Sequence, residues 1–381
     1  MNVADELRGD KTVTPPGDFI RQELEARNWT QADLATILGR PASTVNELVQ
    51  AKRAISPEIA VELGTVFKTG PEVWMDRETA YRLSLAVADS GEVERRARLY
   101  ELAPVKEMQK RGWIRQADDV SELEAELRRF FSVDDLEADP VIVANFRKST
   151  PHDELTPAQK AWCARALQMA RVLTVAEFSE DKLPECEMKL RKLAAFPQEA
   201  RKVPGLLSSY GIRFVIIEPL QGSKIDGAAM WLKPGSPVIA LSMRYDRIDA
   251  FWFNLGHEFW HIKNRDGMSV DTDLSPWGEK TAESESPVER RADAEAAALL
   301  IPPEKLQSFI LRVSPLFSKE RINQFANRIK IHPGIIVGQL QHRREIGYSA
   351  NREMLVKVRD IVSSTAVTDG WGQIIGPKVF Q

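Results

Sequence analysis

The stretch FWFNLGHEFWHIKNRD, residues 251 to 266, places two of the chain's five histidines four positions apart, with a glutamate directly after the first. On a helix, residues at that spacing project from one face about one turn apart, so His257 and His261 would offer two imidazoles to a single ion. Two imidazoles with room for a further donor suit catalytic zinc, although such a set also accepts other divalent ions. Glu258, beside the first histidine, is placed to be the catalytic acid/base group, taking a proton from water held at the ion. With so few histidines, His-Glu-x-x-His would arise by chance on the order of one time in two hundred such chains. The competing reading is a core helix with two hydrogen-bonded histidines. Phe251, Trp252, Phe253, Leu255, Phe259 and Trp260 are hydrophobic packing under either reading.

A catalytic zinc needs a third protein ligand and an open position. The sequence after His261 is IKNRDG, which holds no third histidine at a metal-ligating spacing. The segment VERRADAEAAALLIP instead offers Glu289 and Asp293 at helical i and i+4, on one face of a strong helix former. Glu289 could bind the ion while Asp293 accepts the spare ring N–H of a ligand histidine, holding its tautomer and orientation. Glu283 and Glu285 compete with Glu289 for the role. They lie in the acidic loop 266 to 287, long enough to be a lid or simply mobile.

The rest of the chain must position these groups. Its 381 residues are too many for one ordinary core and predict two or three domains. Hydrophobic content of 43% beside 28% charged residues is that of a folded, soluble protein. A formal net charge of -3 excludes any global electrostatic attraction to nucleic acid or membranes, so such partners would need a local patch. Two cysteines, Cys163 and Cys186, with no C-x-x-C pair, argue against a disulfide framework or a thiolate zinc site. The amino terminus MNVADELRGD lacks the apolar run of a secretory signal, and no stretch is apolar enough to span a bilayer; the expected location is cytoplasmic, without membrane contact.

The expected fold class is mainly α with a small β-sheet (α+β). Residues 17 to 85 predict short helices with tight turns. Thr30 is the expected N-cap of a helix to Leu38, Gly39 its left-handed stop, and a second helix covers about Ala42 to Gln50. Ser56 and Pro57 predict the cap and first residue of another. From about 86 to 204 the text is charged and helical and carries no visible chemistry, which predicts a packed helical connector. Near 205 the period changes: IRFVIIEPL reads as a buried strand, and GAAMWL and PVIALS flank KPGS as a hairpin. Helices return from 288, and STAVTDGWGQIIGPKVFQ is a tail without a clear period.

The helix, turn and helix at 30 to 50 are compatible with a helix-turn-helix, whose second helix enters the major groove of DNA by its N-terminal end. On that reading Ser43, Thr44, Asn46 and Glu47 face base edges, while Gln31, Lys52 and Arg53 meet phosphates. Many small helical bundles share the pattern without binding DNA. Residues 1 to 85 hold ten Lys and Arg against thirteen Asp and Glu, and only 40 to 53 is locally positive. Modest affinity per half-site, a homodimer and sensitivity to salt are expected.

Two resemblances sharpen these readings. TQADLATILGRPASTVNELVQAKRAIS, with PPGDFIRQEL before it and GPEVWMDRETAYRL after it, resembles the XRE-type helix-turn-helix and, within it, the HigA class of antitoxin-repressors. DGAAMWL, GHEFWH and ERRADAEAAALLIP together resemble the ImmA/IrrE family of zinc metallopeptidases over about residues 205 to 345. The second resemblance implies a gluzincin-like domain with His257, His261 and Glu289 as ligands and Glu258 as catalytic acid. Glu295 and Trp260 depart from that family's pattern, where an aromatic and a small residue are usual. The implied organisation is a DNA-binding domain at 1–86, a connector at 87–204, a metallopeptidase domain at 205–350, and a helix and tail at 351–381.

For such a site a peptide would add to the hairpin edge at about Gly227 to Leu232, with Gly227, Ala228, Ala229 and Met230 as substrate-binding residues. Tyr210, Tyr245 and His332 are candidates for stabilising an oxyanion, each readable also as structural. By resemblance the setting is a toxin-antitoxin, prophage or defence locus, with double-stranded operator DNA and a protein substrate or toxin as partners. The alternative is a non-proteolytic antitoxin and autorepressor that uses a zinc-stabilised fold as a scaffold for a toxin.

Overall fold

The computed structural model describes residues 13–87, 91–136, 155–266, 269–272 and 286–372. The chain divides into two compact units, one to Arg98 and one from Leu99. Among the described residues no helix is long and apolar enough to cross a membrane.

The first unit is helical: α1 (Pro16–Ala26), α2 (Gln31–Leu38), α3 (Ala42–Val49), α4 (Pro57–Phe67) and α5 (Pro71–Val87). Its turns are set by local chemistry. Thr30 caps α2 in a reciprocal box with Asp33, each side chain accepting from the other's backbone N–H. Gly39 ends the helix at φ 61°, a conformation that a side chain disfavours. Ser56 accepts from the N–H of Ile59, with Pro57 as first helical residue. One apolar cluster, including Ile20, Leu34, Val45, Leu48, Leu63 and Trp74, is the core.

The second unit is built on a five-stranded sheet of order β4-β2-β3-β1-β5. Its strands are β1 (Arg213–Ile217), β2 (Ile225–Trp231), β3 (Pro237–Leu241), β4 (Ser269–Thr272) and β5 (Val367–Asp369). The expected hairpin is β2 with β3, antiparallel with Gly227 opposite Leu241, while β1 runs parallel to both β3 and β5. The two outer strands come from the acidic loop and the tail, where neither is visible as a period. Four residues and three are too short to show alternation.

Both faces of the sheet are covered, which explains its nearly continuous apolar strands. Phe214, Ile216, Ala229, Ile239 and Leu241 face one core, shared with α12 (Ile248–Lys263). Val215, Ile217, Ala228, Met230, Val238 and Ala240 face the other, shared with α8 (Val120–Phe131) and α9 (Pro157–Arg171). The region expected as a connector is therefore one layer of this unit from Leu99 onward. Trp162 Nε1 donates to the carbonyl of Ile217 at 3.1 Å, and Arg111 to the carbonyls of Glu218 and Pro219 at 2.7 and 2.8 Å. Arg165 of α9 forms a fully buried ion pair with Asp369 of β5, so the tail is also part of this unit. Burial raises the Asp369 carboxyl pKa and lowers that of the Arg165 guanidinium.

Helices α6 (Gly91–Leu102), α7 (Val105–Lys110), α10 (Leu183–Leu193) and α11 (Val203–Ser209) precede the sheet. Following α12 come α13 (Pro287–Leu300), α14 (Pro303–Val313), α15 (Lys319–Ile329), α16 (Pro333–His342) and α17 (Arg359–Ser363). Glu283 and Glu285 lie outside the described residues.

Candidate functional site

Helix α12 carries the histidine pair and packs against β2 on one side and α13 on the other. Gly256 makes the second contact close: a Cβ there would meet Cα of Ala296 at 3.4 Å and Leu299 at 3.2 Å. Small residues at a crossing let helix backbones approach. At the start of α13, Ser286 caps the helix by accepting from the N–H of Glu289, 3.2 Å away, which places Glu289 in the first turn. The crossing then brings that turn over His257 and His261.

The ligand atoms of His257, His261 and Glu289 all lie within 4.8 Å of one another. His257 Nε2 is 3.1 Å from His261 Nε2 and 3.2 Å from Glu289 Oε2, and His261 Nε2 is 3.6 Å from the same oxygen. A tetrahedral zinc ion with bonds of about 2.0–2.1 Å requires ligand separations of roughly 3.3 Å. The triangle therefore fits that ion. Ring orientation fits as well: His257 Nδ1 lies 2.8 Å from Asp293 Oδ1, and His261 Nδ1 lies 3.0 Å from Asp266 Oδ2. A carboxylate on each Nδ1 favours the Nδ1–H tautomer and leaves both Nε2 lone pairs converging on one point, an arrangement that a cation satisfies.

Glu258 is fully buried, with its carboxylate against β2. A Cβ on Gly227 would lie 3.0 Å from Cδ of Glu258 and closer still to Oε1, so only glycine leaves space for that carboxylate. Gly227 thus supports the acid in place of the expected substrate contact. Ala228, Ala229 and Met230 are buried in the sheet. The expected peptide edge is also occupied: β4 pairs with β2 at Gly227–Asp271, Ala228–Val270 and Ala229–Ser269, satisfying the main-chain groups a substrate would have used.

The three oxyanion candidates separate. Tyr210 is buried at the end of α11, within the core that α10 and α11 share. His332 caps α16, its Nδ1 accepting from the N–H of Gly334 at 3.1 Å, and burial pushes its pKa down. Tyr245 alone lines a cavity that Asp293 also lines. Glu295 is exposed on α13, so no aromatic is needed beneath it; Trp260 is half-buried with its ring edge-on to His261.

In the first unit Val45, Leu48 and Val49 fill the core, which turns Ser43 and Asn46 outward as exposed residues and leaves Thr44 and Glu47 half-exposed. Gln31 opens α2 half-exposed, and Lys52 and Arg53 are exposed beyond α3. The expected roles of Glu47 and Arg53 do not stay separate: they form an ion pair at 2.8 Å. Arg40 likewise bonds Glu62 through two contacts of 2.6 and 2.8 Å. Much of the local positive charge is thus internally paired.

The sequence profile of the helix-turn-helix family matches residues 20–74, within the first unit. The uncharacterized HTH-type transcriptional regulator YddM of Escherichia coli is 33% identical over 71 residues, 19% of this chain and 76% of that one. The chain belongs to the helix-turn-helix family of transcriptional regulators. Virulence-associated protein A of Dichelobacter nodosus is 40% identical to this helix-turn-helix regulator over 76 residues, 19% of this chain and 74% of that one. Among solved structures, Pseudomonas aeruginosa antitoxin HigA with the higBA promoter is 36% identical, covering 21% of this chain and 87% of that one at a TM-score of 0.20. An addiction module antidote protein of the HigA family from Coxiella burnetii is 28% identical, covering 21% and 89% at a TM-score of 0.21.

One residue of the histidine site in this helix-turn-helix regulator is not apparent from the sequence pattern. Asp266 follows α12 by a left-handed turn at Arg265, φ 53°, and its N–H donates to the carbonyl of His261 at 3.1 Å. An acid just beyond a helix that ends in a candidate ligand is the one signal that points to it.

Proposed function

We propose that this regulator binds operator DNA through α2 and α3 and that its second unit is a zinc-dependent peptidase acting on a protein partner. The observation that carries the peptidase half is the triangle of His257, His261 and Glu289, with a carboxylate behind each imidazole and buried Glu258 beside it. The resemblance of residues 205 to 345 to ImmA/IrrE metallopeptidases supports the same reading. The helix-turn-helix match and the outward face of α3 support the DNA half.

His257, His261 and Glu289 would hold the ion, which when bound supplies a Lewis acid for a peptide carbonyl and makes water more acidic. Asp293 and Asp266 hold the two rings in register. Glu258, kept in place by the gap at Gly227, accepts the proton of the attacking water and returns it to the leaving amine. Burial of that carboxylate limits competing contact with bulk solvent.

The test uses the full chain. Metal analysis should find one zinc per chain, retained in Glu258→Gln and lost in His257→Ala. Against a proteome-derived peptide library read by mass spectrometry, Glu258→Gln should cut about 10²–10⁴-fold more slowly than wild type. Equal cutting by the two proteins, or no zinc in wild type, would reject the peptidase reading. Salt-sensitive binding to the DNA upstream of its own coding region tests the other half.

A further inference from the structure

A cavity of about 410 Å³ lies between α12, α13 and α16, inside the range of ligand pockets generally. It adjoins the histidine site. Asp293, which holds the His257 ring, lines it, and so does Phe253, whose ring centroid is 6.3 Å from that of His257 and 6.3 Å from that of His342. Phe253 stands four residues before His257, so the cavity continues the face of α12 on which both imidazoles project.

The chemistry of the walls is divided. Phe253 and Ala297 give partly exposed apolar wall over buried Leu300 and Ile335, while exposed Arg343 brings positive charge to the lining. The two acids that line it are each engaged elsewhere, Asp293 with His257 and Asp249 with Arg247 at 2.6 Å. The apolar wall and the cationic side together ask for an amphipathic anion.

We propose that this cavity is the subsite that selects the substrate, taking a large apolar side chain that carries or adjoins a carboxylate. Its meaning as a substrate pocket rests on the peptidase reading above; the binding itself needs only the residues of this chain. The apolar group displaces water from the partly exposed Phe253 and Ala297, and Arg343, exposed beside the pocket, pairs with the carboxylate.

The probe is N-acetyl-L-phenylalanine, titrated by NMR into full-length protein stripped of metal, with N-acetyl-L-alanine and N-acetyl-L-phenylalaninamide as controls. Phenylalanine should bind at least tenfold more tightly than alanine, because a buried aromatic ring is worth more than a methyl group by about that factor. Ala294→Trp, a change on the exposed side of α13 that fills the cavity, should weaken the phenylalanine probe about tenfold. Ala250→Phe narrows the cavity from α12 and replaces that variant should it melt early. Arg343→Gln should weaken the acid and leave the amide unchanged. Equal binding of the phenylalanine and alanine probes, or unchanged binding in the folded filling variant, overturns the proposal. Selective probe binding in a protein that cuts no peptide would sustain the pocket and reject the peptidase.

Discussion

His257 and Asp293 meet at 2.8 Å across the crossing of α12 and α13, Nδ1 to Oδ1, while the other ring nitrogen points at Glu289. The contact fixes which nitrogen carries the proton, and therefore which lone pair is offered to an ion. Replacing Asp293 with Ala should lower zinc affinity about 10–100-fold, measured by competition with a chelator of known affinity. Asp266→Ala should act in the same direction through His261. Unchanged affinity in both variants would mean that the rings are held by packing alone.

Gly227 makes a second, sharper prediction. Its Cβ would overlap the Glu258 carboxylate, which would have to leave its present place against β2. Gly227→Ala should leave zinc content near that of wild type while peptide cleavage falls about 10²-fold, the usual consequence of a misplaced catalytic group. Loss of zinc and cleavage together would instead show that β2 itself had been displaced.

In the first unit Glu47 pairs with Arg53, a residue expected to meet phosphates. Glu47→Gln should release it and strengthen non-specific DNA binding, with a steeper dependence on salt. Lys52→Ala should weaken binding similarly across sequences and reduce the slope of log affinity against log salt by about one. Thr44→Ala and Asn46→Ala should cost about 1–3 kcal/mol at particular base pairs if their side chains read bases. Competition gel shifts over a salt series separate these outcomes.

The buried Arg165–Asp369 pair ties the last strand to the sheet's covering helix. Removing one partner leaves a charge without compensation, so Arg165→Met should destabilise the second unit by about 3–5 kcal/mol in urea unfolding. The double variant Arg165→Met, Asp369→Leu should recover much of that loss. A double variant as unstable as the sum of its singles would assign the cost to packing.

Features decided within a few residues are legible in the amino-acid sequence. The four-residue spacing of His257 and His261, the Thr30 cap, the Gly39 stop and the β2–β3 hairpin depend on local backbone preference and side-chain reach. Ser286 and Pro287 at the head of α13 are equally plain as residue types, but their consequence is not. Whether Glu289, Glu283 or Glu285 meets the histidines depends on how two helices cross.

The sequence by itself determined which groups could do chemistry and on which elements they stand. Only the tertiary structure decided which of them meet. Close packing at Gly256 brings Glu289 and Asp293 to His257 across more than thirty residues of chain. Pairing of β4 closes the strand edge that the hairpin alone would leave open, and an apolar sheet face recruits helices that read as a connector. The physical reason is common to all three: contacts between distant segments are chosen by burial, shape and register, which no local pattern of residues encodes.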